Sequence, residues 1–271
     1  MELERATWPE VADASTDLAV LPVGSTEQHG PHAALGTDSI AATAVARAGV
    51  ERFDGDVVVG PTLPVGVSAE HRQFPGTMWV DPGVFRDYVE SLSRNLTAHG
   101  IDRIVYVNAH GGNVAHLREV GRRLHEDATA YAIEWMWDES IPDLIEEVFE
   151  TPGPHGGPKE TAMIMHIAEE LVREDRLEEA HEGGATFDYD AERVHGATTF
   201  YDCIENSPNG VFGDQTDATP EIGAELFEAA TEQLVALLEW LDEQPFEDLM
   251  PEPRLDSRSG SDRETASERP R

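Results

Sequence analysis

Short apolar runs alternate with longer stretches of helical periodicity along this chain. Leu18–Val23 (LAVLPV) reads as a buried strand, and the alanine-rich segment Asp38–Phe53 as a helix carrying Ile40, Val45 and Val50. Asp56–Gly60 is a second strand, and Thr77–Val80 is a short strand candidate. Pro82–His99 is a helix, with Pro82 near its first position and Gly100 past its end. Arg103–Val107 (RIVYV) is the third clear strand, Asn113–Glu126 a helix capped by Asn113, and Thr129–Glu134 a fourth strand. Lys159–Val172 and Pro220–Leu241 complete the helices. The second of these spaces Ile222, Leu226, Ala229, Ala230, Leu234, Leu237 and Leu238 at helical intervals. This alternation predicts an α/β fold. Residues 183–218 are rich in Gly, Asp and Thr and read as loops over the sheet edge. One folded domain is expected over 1–245, with a disordered tail over 246–271; within it, Pro251–Arg271 holds a single aliphatic residue larger than alanine, Leu255.

Charge changes the picture next. The 271 residues hold 54 acids against 19 Lys and Arg, a formal net charge of −35, and Lys159 is the only lysine. Pro251–Arg271 carries five arginines and five acids, so the whole excess sits on the first 250 residues. Such a surface repels nucleic-acid phosphates and anionic membranes. No run of 18 or more apolar residues offers a membrane span. The N-terminus MELERATWPE lacks the basic and apolar regions of a secretory signal. Cys203 is the only cysteine, which excludes an intrachain disulfide and a Cys-based zinc site. With 39% apolar residues in periodic order, the chain folds, and its charge points to a cytoplasm rich in salt.

Chemistry-bearing residues collect at strand ends, where ligands of doubly wound sheets sit. Gly24-Ser-Thr-Glu-Gln-His-Gly-Pro-His32 follows the first strand and leads to Asp38; Asn108-Ala-His-Gly-Gly-Asn113 follows the third. Glu27 and His29 are two apart and project to the same side of an extended segment. Glu27, His29, Asp38 and His110 form a mixed oxygen and nitrogen set suited to zinc, manganese or ferrous iron. A carboxylate such as Asp38 can bridge two ions. His155 lies in a Gly/Pro turn before a helix, and Glu160 in that helix's first turn; either would complete a metal site or move protons. Each residue also has a plainer role: Asp38 as a helix cap, Glu160 as a dipole-favoured first-turn acid, Asn108 and Asn113 as turn and cap residues, a lone His29 or His110 as a hydrogen-bonded loop histidine. Joint occurrence at two strand ends carries the metal reading.

These segments, with Glu160-Thr161 and Gly210-Val-Phe-Gly-Asp214, together resemble the creatininase family of metal-dependent amidohydrolases over roughly residues 6–242. The resemblance implies a three-layer α/β/α sandwich with a mainly parallel sheet. It implies hydrolysis of C–N bonds, other than ordinary peptide bonds, at two divalent ions per subunit, and a homo-hexamer. By position, Glu27, His29, Asp38 and His110 match metal ligands, with Asp38 as the bridge; His155 matches the catalytic histidine, and Glu160 the glutamate of the His…Glu-Thr segment. In the implied mechanism a water activated between the ions attacks the amide carbonyl, and His155 protonates the leaving nitrogen.

Creatinine-hydrolysing members carry a glutamate ligand where this chain has Gly112, which makes Glu160 the last ligand and argues against creatinine as substrate. Ala109 replaces a usual glycine, and Pro158 a usual glutamate. The Gly-Gly version of the histidine motif resembles the branch with an archaeal formamide deformylase, which acts on 2-amino-5-formylamino-6-ribosylaminopyrimidin-4(3H)-one 5'-phosphate on the route to riboflavin. That substrate is the first expectation. A creatinine-type cyclic amidase or a cofactor-precursor peptide hydrolase comes second, and a non-catalytic binding subunit is the reading from another class. Asn108, Trp135 and Lys159 are the candidates for substrate contact: Trp135 and Trp137 by stacking, or by core packing instead, and Lys159 by meeting a phosphate. Arg72 is a weaker phosphate candidate. His32 and His71 lie near the motifs with no role assigned, and Cys203 reads as a small buried hydrophobe.

Overall fold

The strands at the centre of the fold carry apolar residues on both faces, as a sheet covered on both sides requires. In the computed structural model, which describes residues 1–184, 193–195, 197–198, 200 and 202–250, these are β1 (Leu18–Val23), β2 (Val58–Val59), β3 (Arg103–Asn108) and β4 (Tyr131–Met136). They form one parallel sheet in the order β2-β1-β3-β4. β1 and β3 pair without offset from Leu18↔Arg103 to Val23↔Asn108, so the loops leaving these two strands start side by side.

The described helices are α1 (Trp8–Asp13), α2 (Thr37–Arg52), α3 (Pro82–Thr97), α4 (Val114–Glu126), α5 (Pro142–Val148), α6 (Pro158–Ala168), α7 (Leu177–Gly183), α8 (Cys203–Asn206), α9 (Pro220–Asp242) and α10 (Phe246–Leu249). Strand periodicity sorts the core. Leu18, Val20, Val105 and Val107 pack against Val45 and Ala46 of α2 and Leu234, Leu238 and Leu241 of α9. Ala19, Leu21, Val23, Ile104 and Tyr106 pack against Phe85 and Val89 of α3 and Leu117, Val120 and Leu124 of α4. The result is the three-layer α/β/α arrangement. A third cluster joins α5, α6 and α9 through Trp137, Ile145, Met163, Ile164 and Leu226. Gly49 of α2 seats that helix on α9: a Cβ there would lie 2.6 Å from Leu234 Cδ2. Truncating Leu234, fully buried, to alanine would cost about 2–5 kcal/mol.

Several boundaries differ from expectation. Thr77–Val80 is not a strand; Met78 makes one antiparallel bridge, its N–H donating to Thr26 O at 2.8 Å. The second strand shrinks to Val58–Val59. The helix expected to reach Val172 ends at Ala168 and passes into a 3-10 turn, Glu169–Leu171. The segment expected as loops contains α8 and a small antiparallel pair, Arg193–Val194 with Ala197–Thr198. Asn113 precedes α4 but does not cap it with its side chain; its amide bridges Gly24 O and Val67 N instead. Phe246–Leu249 form a helical turn with Leu249 against the core, while 251–271 lie outside the described residues. No described helix is long and apolar enough to cross a membrane.

Candidate metal centre

The paired ends of β1 and β3 place Glu27 beside His110, and the turn after β1 places it beside Asp38. Gly24 makes the second approach possible, because a Cβ there would lie 2.7 Å from the Asp38 carbonyl carbon. Asp38 sits within the first turn of α2 and is buried; Gly36 occupies the cap position. Its side chain therefore turns inward rather than capping the helix. α6 begins at Pro158 and brings Glu160 to the same point from the other side. Glu160 Oε2 accepts from Gly156 N at 2.5 Å, which fixes the preceding turn around it.

Three groups of ligand atoms result: Glu27, Asp38 and His110; His29, His155 and Glu160; and Glu27, His71 and His155. Asp38 lies between the first two groups, with Oδ1 3.0 Å from His29 Nε2 and Oδ2 3.6 Å from His110 Nδ1. His110 Nδ1 is also 3.1 Å from Glu27 Oε1, and His29 Nε2 is 3.9 Å from Glu160 Oε2.

Backbone carbonyls decide which ring nitrogens hold protons, since a carbonyl only accepts. His110 Nε2 donates to Val67 O at 2.8 Å, leaving Nδ1 as a lone pair toward Glu27. His29 Nδ1 donates to Glu27 O at 3.2 Å, leaving Nε2 as a lone pair toward Asp38. His155 Nε2 donates to Gln28 O at 2.7 Å, leaving Nδ1 as a lone pair 3.4 Å from Glu27 Oε1. Three imidazole nitrogens, each able to take a proton or a cation, thus face three carboxylates. Metal-binding histidines are held in this way by partners on the far nitrogen.

Such a cluster repels itself without positive charge. Both Glu27 oxygens, Asp38 Oδ2 and His29 Nε2 are buried with no hydrogen-bond partner among the described residues. Burial pulls His29 down, but Asp38, Glu160 and Glu27 together outweigh it and drive the imidazole up to about 10. Burial opposes His110 likewise, and Glu27 and Asp38 drive it up to about 10. Burial pushes Glu160 up to about 7. Burial also raises Asp38, whereas burial of Glu27 is outweighed by His110 and its neighbours, which hold it below the usual range. The field calls for cations, and two divalent ions would supply them at Glu27/Asp38/His110 and at His29/Glu160/Asp38 with His155 alongside. The orphaned oxygens and lone pairs fit that demand.

A sequence model described as creatinine amidohydrolase matches residues 4–238. The chain belongs to the creatininase family. Its relatives include the mycofactocin precursor peptide peptidase of Mycobacterium ulcerans, 32% identical over 238 residues and 85% of each chain. The creatinine amidohydrolase of Pseudomonas putida is 28% identical over 193 residues, 63% of this chain and 73% of that one. Among solved structures, a mutant creatininase described as the Zn-Zn type superposes with a TM-score of 0.76 at 24% identity, covering 90% of this chain and 98% of its own. Family membership makes the chain an amidohydrolase, an enzyme of C–N bond hydrolysis.

Within this creatininase-type centre the expected residues separate into two sets. Glu27, His29, Asp38, His110, His155 and Glu160 come together. The three expected substrate contacts do not join them as such. Asn108 is fully buried with its amide engaged: Oδ1 accepts from His110 N at 3.1 Å and Nδ2 donates to His110 O at 3.0 Å. It shapes the His110 loop instead of facing a substrate. Trp135 lies on β4 and packs into the α2/α9 side of the core; the neighbouring Trp137, 2% exposed, is the indole beside Asp38 and Glu160. Lys159 is ion-paired with Asp138 and lines a cavity of about 480 Å³ with Asp138, Glu139 and Glu146, a wall that repels phosphate. Arg72 is engaged by both Asp202 oxygens. His32 ties the first loop to α6, its Nε2 donating to Thr161 Oγ1 at 2.8 Å.

Two residues of the centre carried no sequence signal for their role. His71 and Gln28 meet beside Glu27, from positions 43 residues apart. The only hint in the sequence was His71's nearness to the motif loops.

Proposed function

We propose that the chain hydrolyses an amide at two divalent ions held by Glu27, Asp38 and His110 on one side and by His29, Glu160 and the shared Asp38 on the other. The observation that carries this reading is the set of buried imidazole lone pairs and carboxylates turned toward one another with no protein donor between them. Zinc, manganese and ferrous iron all suit the mixed donors. Such ions, when bound, supply Lewis acidity and a nucleophilic water near neutral pH.

The chain's own residues do the rest. His155 keeps Nδ1 unprotonated toward the centre, and burial holds the ring well below its ordinary pKa. It is poised to take a proton from the attacking water and pass it to the leaving nitrogen. Glu160 holds the start of α6 in place through Gly156 and presents its carboxylate to His29.

A short peptide is the substrate class favoured here. The 32% identity to a precursor-peptide peptidase supports it, and so does the engagement of Lys159 and Arg72 by carboxylates, which leaves neither for a phosphate. The formylaminopyrimidine phosphate is the second reading, favoured by the Gly111-Gly112 pair. Gly112 admits no side chain: a Cβ would lie 2.5 Å from His110 Nε2 and collide with Val67 O. A salt-rich cytoplasm and a homo-hexamer belong to the same reading.

The deciding experiment loads the protein with zinc, manganese or ferrous iron and measures metal per chain. A short peptide, the formylaminopyrimidine phosphate and creatinine are then assayed for cleaved peptide, formate and creatine. About two ions per chain and peptide cleavage are expected. Less than one ion per chain, or no turnover of any of the three amides, overturns the reading.

A further inference from the structure

Gln28 is a buried amide whose orientation is fixed from both ends. Its Oε1 lies 2.9 Å from Gly30 N, a group that only donates, and its Nε2 lies 2.7 Å from Gly210 O, a group that only accepts. The second hydrogen on Nε2 points to His71 Nδ1 at 2.9 Å. His71 Nδ1 must therefore be the acceptor, and the neutral ring carries its proton on Nε2. Gln28 Nε2 also comes within 2.9 Å of His155 Nε2, but that nitrogen is a donor to Gln28 O and takes neither hydrogen.

The protonated Nε2 of His71 faces the centre. The carboxylate oxygen it approaches, Glu27 Oε1, is 3.7 Å away, beyond hydrogen-bonding distance. The ring lies 4.1 Å, centroid to centroid, from that of His155, whose Nδ1 turns a lone pair to the same oxygen. Two adjoining imidazoles thus present opposite kinds of acid–base chemistry to one point: a lone pair from His155 and an N–H from His71. The third ligand grouping, Glu27 with His71 and His155, is not a cation site, because His71 offers it a proton.

We propose that His71, held as an Nε2–H donor by the Gln28 amide, hydrogen-bonds the carbonyl oxygen of the substrate amide and stabilises the oxyanion as it forms. The proposal rests on the amide-hydrolase reading above. Donors aimed at a developing oxyanion typically contribute 10²–10³ in turnover. His71 is 5% exposed, and its partner is buried, so the donor is rigid before substrate arrives.

The test uses full-length zinc-loaded protein and the variants His71→Leu and His71→Gln, the second of which keeps an amide N–H near the Nε2 position. Long-range nitrogen NMR of histidine-labelled wild type should show His71 in the Nε2–H tautomer. Methylphosphonate, a tetrahedral anion, should bind His71→Leu on the order of 10-fold more weakly by calorimetry, with His71→Gln recovering most of the loss. Zinc content should stay unchanged. On whichever amide is turned over, kcat of His71→Leu should fall about 10²-fold or more with KM little altered. An Nδ1–H tautomer, equal methylphosphonate affinity in all three proteins, or loss of zinc in His71→Leu overturns the proposal. A wild type that hydrolyses none of the amides counts against the hydrolase reading, and the tautomer and methylphosphonate measurements still decide the role of His71.

Discussion

The Asp38 carboxylate and the His29 imidazole meet directly: Oδ1 lies 3.0 Å from Nε2, while the ring's other nitrogen donates to Glu27 O. Without metal a second proton on His29, held up to about 10, meets that contact, and a divalent ion would take the proton's place. Asp38→Asn places an amide N–H where His29 Nε2 can accept it, so the variant should lose metal without losing its fold. Metal content should drop below about one ion per chain and activity should become undetectable. At pH 7 the metal-free variant exchanges the His29–Asp38 charge pair for a neutral hydrogen bond and should melt about 2–4 °C below metal-free wild type, as roughly 1 kcal/mol gives for a domain of this size. Calorimetry paired with metal analysis reads both, and an unchanged metal content refutes the bridging role.

Asn108 holds His110 by two backbone hydrogen bonds from a fully buried site. Asn108→Ala should therefore weaken metal affinity about 10–100-fold, as loss of a ligand's supporting partner does. Competition with a chelator measures this. A variant with wild-type metal affinity but raised KM would restore the substrate-contact role expected for this residue.

Metal-free protein should lose stability as pH rises from about 6 to 10. His29 and His110 move from an ordinary 6.5 to about 10 in the fold. A group that binds its proton more tightly folded than unfolded contributes fully below about 6.5, and that contribution disappears as pH climbs through about 10. Glu160 acts in the same sense lower down, raised from 4.5 to about 7. Zinc replaces those protons, so the decline should flatten in the loaded protein. Melting temperature against pH, with and without zinc, checks the slope; a metal-free curve that rises across this window contradicts it.

The formal charge of −35 lies on the first 250 residues, and screening lengths of about 3 Å are reached only near 1 M salt. Fold and activity should fade as salt drops below roughly 1 M. Circular dichroism through a salt titration tests this, and a protein folded and active at 0.1 M ends the salt-adapted reading.

Much of the centre was legible along the chain because its ligands sit in two short loops at the ends of strong apolar strands. β1 was expected at Leu18–Val23 and lies there, and β3 differs by one residue. What escaped was set by distant partners. The role of Gln28 depends on Gly210, 182 residues away, and that of His71 on Gln28. Lys159 read as a phosphate ligand until Asp138 was found beside it, and Asn108 as a substrate contact until its amide proved to be spent on His110. Periodicity places an element, but whether a polar group on it is free or engaged is decided by chain far off in sequence.

The contact of Gly49 with Leu234 lies on the same helix as Asp38, eleven residues and about 16 Å further along its axis. α2 therefore acts as a rod with the Asp38 carboxylate at one tip and a core contact near the other. Swelling or shrinking that contact would slide the rod and move Asp38 relative to His29 and His110. The placing of the Asp38 carboxylate is thus tied to packing within the hydrophobic core, at positions that touch none of the candidate ligands.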